Sequence, residues 1–394
     1  MTTKLLLPLS ALVLSLLIRT VASQETNGLV FWEEWYRLNF TYDFEGPGGT
    51  DSWDQVDTVS SEGEWGWYDS RHPIFDLDIN LNECSENVRP SPINLFQDVL
   101  CQDTHEIRTR QKQDGDCTRD DIAFVLTPYG VKAYYPWYDD NCQRPTIQMD
   151  GFEDFILVWL ELHARSEHVI DGRRFDAELQ FVHMGTGNNN SEIATVSVLI
   201  DASARQDNEE FQWLLNQWNS ALTNQTERCA STTPSGTRFR KRNLGLSKSQ
   251  TRENTNPTVA ISSSSTTRRT QDCKPDRFGQ GCEPLLPRDR MYPYSLWPTI
   301  WYFSYHGSIT SPPCSAIVHW RILDTPMLIS RRQYKQLASL LKAFKNKACD
   351  DDMSLTSTKG ENSRPLQVIN STNQPVAHCG FKDFSFDVFS EGEV

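Results

Sequence analysis

Beyond its first two dozen residues the chain lacks any apolar run of the roughly 20 residues needed to cross a bilayer, so no stable membrane span is expected there. It lacks an excess of positive charge. Its 38 Lys+Arg stand against 52 Asp+Glu, a formal charge of -14, which argues against nucleic-acid binding unless a basic face is segregated. It lacks a Cys-x-x-Cys pair, so its ten cysteines do not read as a zinc cluster. No internal repeat is found. Apolar residues are not scarce: 38% are hydrophobic and 23% charged, enough for a core, so wholesale disorder is excluded. The length allows one large domain or about two to three smaller ones.

The first residues read as an export signal. Lys4 supplies a short positive region, Leu5 to Ile18 is apolar apart from Ser10 and Ser15, and Val21-Ala22-Ser23 resembles a small-residue cleavage site. Residues 1–23 are therefore expected to be a signal peptide. Sequons at Asn39, Asn189, Asn224 and Asn370 and an even, high cysteine count fit the same compartment. The expected location is secreted, or the lumen of the secretory pathway.

Further along, the patterning is mainly of β type. Ile122 to Leu126, Phe155 to His163, Ala177 to His183 and Ala194 to Ile200 read as strands, and Asp171-Gly172 is a hairpin signal. Glu209 to Leu222 is expected to be helical from the spacing of Phe211, Leu214, Leu215 and Trp218. Arg331 to Lys347 is expected to be a second helix. Residues 230 to 272 are rich in Ser, Thr, Arg and Asn, including the basic run Arg238-Phe239-Arg240-Lys241-Arg242, and cannot bury enough surface to offset chain entropy. A mobile insertion is expected over about 223–280, with the basic run either a solvated charge cluster, a protease site or an anionic-partner patch.

Three separated blocks are informative together. The first is Ser91-Pro92-Ile93-Asn94-Leu95. The second is Leu160-Glu161-Leu162-His163, followed by Ser166-Glu167-His168 and Ala177-Glu178-Leu179-Gln180-Phe181-Val182-His183. The third is Tyr305-His306-Gly307-Ser308-Ile309-Thr310-Ser311-Pro312-Pro313-Cys314, with Trp320 six residues on. Their order resembles the α-class carbonic anhydrases, and Asn362-Ser363-Arg364-Pro365-Leu366-Gln367 resembles that family's C-terminal block. The resemblance implies a mainly β (α+β) fold: a single domain, about residues 40–380, around a large twisted, mostly antiparallel sheet with short peripheral helices. A segment at 24–39 would precede it and a tail at 381–394 would follow.

The resemblance also implies a metal site. Such enzymes hold zinc through three histidines, two at i and i+2 on one strand and one on its neighbour, so that all project into one cleft. The metal-bound water then ionises near neutrality and attacks carbon dioxide. The matching positions here are Glu161, His163 and Gln180, so two of the three are substituted. A structural zinc site is worth roughly 10–16 kcal/mol, or on the order of 3 kcal/mol per ligand, so losing one ligand lowers affinity by about two orders of magnitude. An anionic Glu161 would also make any metal-bound water less acidic. His168, His183, His306 and His319 do not match ligand positions.

The resemblance assigns other roles. Thr310 and Glu167 match the pair that orients the metal-bound hydroxide, and either a vestigial or a working pair is consistent with the residues. Glu178 matches the acid supporting the third ligand; here it would support Gln180 or pair with His163. Val182, Ile309 and Trp320 match the wall that receives carbon dioxide. The family's proton-shuttling histidine falls near Val131, which cannot carry protons. Exported members join the positions of Cys84 and Cys314 by a disulfide. The other eight cysteines allow 105 pairings, Cys273–Cys282 being one plausible pair.

Two functions remain at this point. One is a carbonic-anhydrase-like protein, weak or inactive in carbon dioxide hydration, with no zinc or weakly bound zinc, acting by binding an extracellular protein, glycan or mineral surface. The other is an active zinc lyase that interconverts carbon dioxide and bicarbonate through the altered ligand set. A hydrolase on the same cleft lacks a nucleophile–base pair.

Overall fold

The computed structural model describes residues 43–47, 49–56, 82–85, 89–101, 107–110, 117–135, 142–149, 154–186, 192–232, 292–346, 349–350, 354–369, 374–380 and 383. Its strands in chain order are β1 Asn94–Leu95, β2 Ile107–Arg110, β3 Ala123–Thr127, β4 Gly130–Tyr134, β5 Thr146–Met149, β6 Phe155–Ala164 and β7 Val169–Ile170. They continue as β8 Arg173–Arg174, β9 Ala177–Gly185, β10 Ile193–Ala204, β11 Tyr302–Gly307, β12 Val318–Leu323, β13 Met327–Ser330 and β14 Val376–Cys379.

One large sheet runs β14-β11-β12-β10-β9-β6-β4-β3, with β13 added to β10, β5 to β6 and β2 to β5. Its pairs are antiparallel except β10 with β12 and β10 with β13. A small sheet, β1-β7-β8, lies apart from it. The central strands β9 and β10 are buried almost throughout, so they read as apolar runs with little alternation. The Asp171-Gly172 step joins β7 to β8 with both residues at positive φ, as the tight turn requires.

One apolar cluster gathers Leu160, Phe181, Val196, Phe211, Leu214 and Trp218. A second gathers Val182, Phe303, Tyr305 and Trp320 with Leu95 of β1 and the preceding Ile93. Strand side chains alternate between faces, so Phe181 joins the first cluster while its neighbour Val182 joins the second.

The first helix does not stop at Leu222. It runs Glu209–Thr232, so the first ten positions of the expected insertion are helical. Ser220, Thr223 and Thr226 donate their hydroxyls to the carbonyls four residues back, Gln225 donates to Lys345 O at 2.9 Å, and a Cys229–Cys349 disulfide holds the far end. The second helix is shorter than expected, Arg331–Leu340. A capping box of Ser330 and Gln333 starts it; beyond Leu340 the chain turns, while Leu341 and Phe344 still pack on the core.

Four disulfides lie among the described residues: Cys84–Cys314, Cys101–Cys379, Cys117–Cys142 and Cys229–Cys349. The first is the one the resemblance implied; Cys273 and Cys282 lie outside the described residues. So do the signal segment, Asn39, Asn189, Asn370 and the basic run, whereas Asn224 is exposed on the long helix. No helix among the described residues is long and apolar enough to cross a membrane.

Candidate functional site

Register builds the site. On β6, Glu161 and His163 are two residues apart and therefore share a face. Across from Glu161 stand Lys132 of β4 on one side and Gln180 of β9 on the other; across from His163 stands Glu178. Lys132, Glu161, His163 and Gln180 meet at the base of a cleft of about 130 Å³ lined also by Thr310, Val182, Ile309 and Trp320. The three positions that the resemblance aligns with zinc ligands are thus brought together, with an apolar wall beside them.

Each is already partnered within the protein. Lys132 Nζ lies 2.7 Å from Glu161 Oε2. Burial disfavours the Glu161 carboxylate, but the Lys132 charge and then His163 overcome it and hold the group well below the usual carboxylate range. Gln180 Nε2 donates to Glu167 Oε2 at 2.9 Å and to Glu178 Oε1 at 3.1 Å. His163 Nδ1 donates to Asn362 O at 2.9 Å, with Glu167 Oε1 3.6 Å away. Its Nε2, 4.0 Å from Glu161 Oε1, is buried without a hydrogen-bond partner among the described residues. Burial opposes an imidazolium here, yet Glu167, Glu161 and the Asn362 carbonyl outweigh it and raise His163 to about 10. The cleft base is therefore a chain of alternating charge, Lys132–Glu161–His163–Glu167.

Behind it lies a second network. Glu178 is fully buried, and its Oε2 accepts the backbone N–H groups of Glu167 and His168, each at 2.8 Å. Its Oε1 accepts from His168 Nδ1 at 2.8 Å and from Ser197. Burial raises a carboxylate, but His168 and Ser197 dominate and bring Glu178 down to about 2. His168 Nε2 is 2.6 Å from the Tyr305 hydroxyl, which donates to Ser91 Oγ at 3.0 Å. Glu178 thus accepts a hydrogen bond from Gln180, while its close histidine partner is His168 and not His163.

Thr310 is positioned by its neighbours. Ser308 N donates to Ser91 Oγ at 3.0 Å, and Trp320 Nε1 donates to Ser308 O at 3.1 Å. Gly307 permits this approach, since a Cβ there would sit 2.2 Å from Ser91 Oγ. The Cys84–Cys314 bridge closes the far end of the loop. No hydrogen bond joins Thr310 to Glu167 among the described residues; the Glu167 oxygens accept from Arg364 N and Gln180 Nε2, each at 2.9 Å. His183 faces away, bonded to Ala194 O and Tyr294, and neither it, His306 nor His319 lines the cleft. Among the described residues no three His, Cys, Asp or Glu side chains group so as to hold a metal ion.

Two contributors were not assigned in sequence. Lys132 is one; cross-strand register alone places it on Glu161. Asn362 is the other. Its amide donates to Tyr129 O and Leu162 O, its Oδ1 accepts Ala164 N, and its carbonyl holds His163. The signal for Asn362 was its place at the head of the C-terminal block.

The sequence profile of the eukaryotic-type carbonic anhydrase family matches residues 78–251 and 281–374. The chain belongs to that family. Carbonic anhydrase 6 of Homo sapiens is 34% identical over 74 residues, 19% of this chain and 21% of that protein. Carbonic anhydrase 4 of Mus musculus is 26% identical over 315 residues, 75% of this chain and 77% of that one. Among solved structures, the Photobacterium profundum α-carbonic anhydrase aligns with a TM-score of 0.45 at 20% identity, covering 85% of this chain and 99% of that one. The chain spans about a fifth of the length of the human relative.

Proposed function

We propose that this chain is an exported carbonic-anhydrase-like protein, weak or inactive in carbon dioxide hydration, that acts by binding. The observation carrying this reading is the set of internal partners at the ligand positions. Glu161 is neutralised by Lys132, and the Gln180 amide nitrogen is spent on two carboxylates. A divalent ion beside Glu161 would also lie close to the Lys132 ammonium, a like charge in a largely buried cleft. With one imidazole, one ion-paired carboxylate and one amide, the residues do not fit zinc held through three neutral histidines. The cofactor is accordingly none, or weakly bound zinc.

Val182 and Trp320 belong to an apolar cluster, Ile309 packs against it and Thr310 is buried, so a fold without that chemistry would also hold them. Loss of hydration would leave recognition of an extracellular protein, glycan or mineral surface as the function. The alternative is an active lyase for carbon dioxide and bicarbonate using the altered set, and the cleft-lining His163, whose Nε2 has no hydrogen-bond partner among the described residues, favours it. Metal analysis of the purified exported protein with a carbon dioxide hydration assay separates the two. The expected result is substoichiometric zinc and no inhibitor-sensitive rate. One zinc per chain with an inhibitor-sensitive rate establishes the lyase instead.

A further inference from the structure

Away from the cleft a second concavity, of about 260 Å³, is lined by three arginines. Two of its ion pairs are complete. Arg173 bonds Asp201 and lies over the Phe175 ring, and Arg331 reaches in to Asp176 at 2.9 Å. Arg165 and Arg174 are left over. Arg165 is exposed at the end of β6 and has no carboxylate within ion-pair distance among the described residues. Arg174 is half-buried; its Nη1 donates to Ser166 O at 2.6 Å, which fixes the guanidinium without neutralising it. Burial and then the Arg165 charge disfavour the Arg174 cation, outweighing the support of Glu167, Glu178 and Glu361. The Tyr334 hydroxyl, on the same wall, has no hydrogen-bond partner among the described residues.

We propose that this concavity is an oxyanion site, taking a phosphate or sulfate group through the Arg165 and Arg174 guanidiniums and the Tyr334 hydroxyl. Planar guanidinium forks match the paired oxygens of such groups, and a bound anion relieves the repulsion between the two cations. With Asp176 and Asp201 taken by Arg331 and Arg173, Glu361 is the one lining carboxylate left to two guanidiniums, the Glu167 and Glu178 carboxylates that also act on Arg174 lying outside the lining and spent on their own partners. That balance favours one small anion. The formal charge of -14 on the whole chain gives no long-range attraction for a polyanion. The site does not depend on whether the cleft binds zinc.

The test is equilibrium dialysis of the full chain against labelled inorganic phosphate at constant ionic strength. One saturable site is expected. Arg165→Ala should weaken it roughly tenfold, Arg165→Lys less, and Tyr334→Phe by a few-fold. Because Arg165 is exposed and unpaired, its urea midpoint should not move, which separates lost binding from lost folding. Inorganic sulfate that competes at similar concentration assigns both anions; sulfate that fails to compete assigns phosphate alone. Absence of saturable uptake up to roughly ten millimolar, or uptake undiminished in Arg165→Ala, overturns the proposal.

Discussion

At the residue scale, the cleft depends on compensated charge. Glu161 and Lys132 have side chains 17% and 20% exposed, so each is expensive to strand alone. Lys132→Met should destabilise the protein by about 2 kcal/mol, read from urea unfolding, while Lys132→Met with Glu161→Gln should recover most of the loss. Equal losses in the single and double variants would show that the pair carries no coupling. Histidine titration adds two opposite pH dependences. Burial depresses His183 to about 3 from 6.5, so its stabilisation is complete above about 6.5 and is lost as pH falls toward 3. The flanking carboxylates raise His163 to about 10, so its stabilisation is complete below 6.5 and is lost as pH rises through 10. His306, depressed to about 4 by burial and then by His319, shares the acid window with His183. The urea midpoint should therefore fall on both sides of neutrality, and His183→Gln should shallow the acid limb while leaving the alkaline one.

At the element scale, the long helix shows where sequence patterning ends and tertiary anchoring begins. Phe211, Leu214, Leu215 and Trp218 are all fully buried, which is why the spacing predicts that part of the helix. The last two turns carry mostly polar residues, and among those whose burial is described only Cys229 is buried. Nothing periodic marks them, because their hold is a disulfide to Cys349 and a side chain bonded to Lys345. Cys349→Ser is expected to speed amide exchange of residues 223–232 roughly tenfold or more while leaving 211–218 protected. Exchange unchanged in that segment would mean that the helix holds without the bridge. The strands were legible for a different reason: β6, β9 and β10 are dense in Val, Ile, Leu and Phe. Their order in the sheet was not, since β10 pairs in parallel with both β12 and β13 across a long sequence gap.

At the scale of the whole molecule, the sheet presents two apolar faces and the cleft opens from one of them. Beneath the positions that the resemblance aligns with zinc ligands, Glu178, His168, Tyr305 and Ser91 already satisfy one another. Replacing Glu161 and Gln180 by histidine together should therefore return zinc binding on the same fold. Adding Lys132→Ala should strengthen it by removing the nearby cation, as read by metal content after dialysis. Failure of the triple variant to retain zinc, with an unchanged circular dichroism spectrum, would locate the deficit in cleft shape and not in ligand identity.

Sequence by itself determined the family, through four ordered blocks, and the residue types at the three positions that the resemblance aligns with zinc ligands, because residue identity is local information. It also placed Glu161 and His163 on one face, since strand alternation needs no tertiary knowledge. Only the folded chain decided that Lys132 lies on Glu161, that His168 takes Glu178, and that Asn362 holds His163 across the cleft. Those contacts depend on inter-strand register and on loops that meet 199 residues apart in sequence, and long-range closure of this kind leaves no periodic trace in the chain.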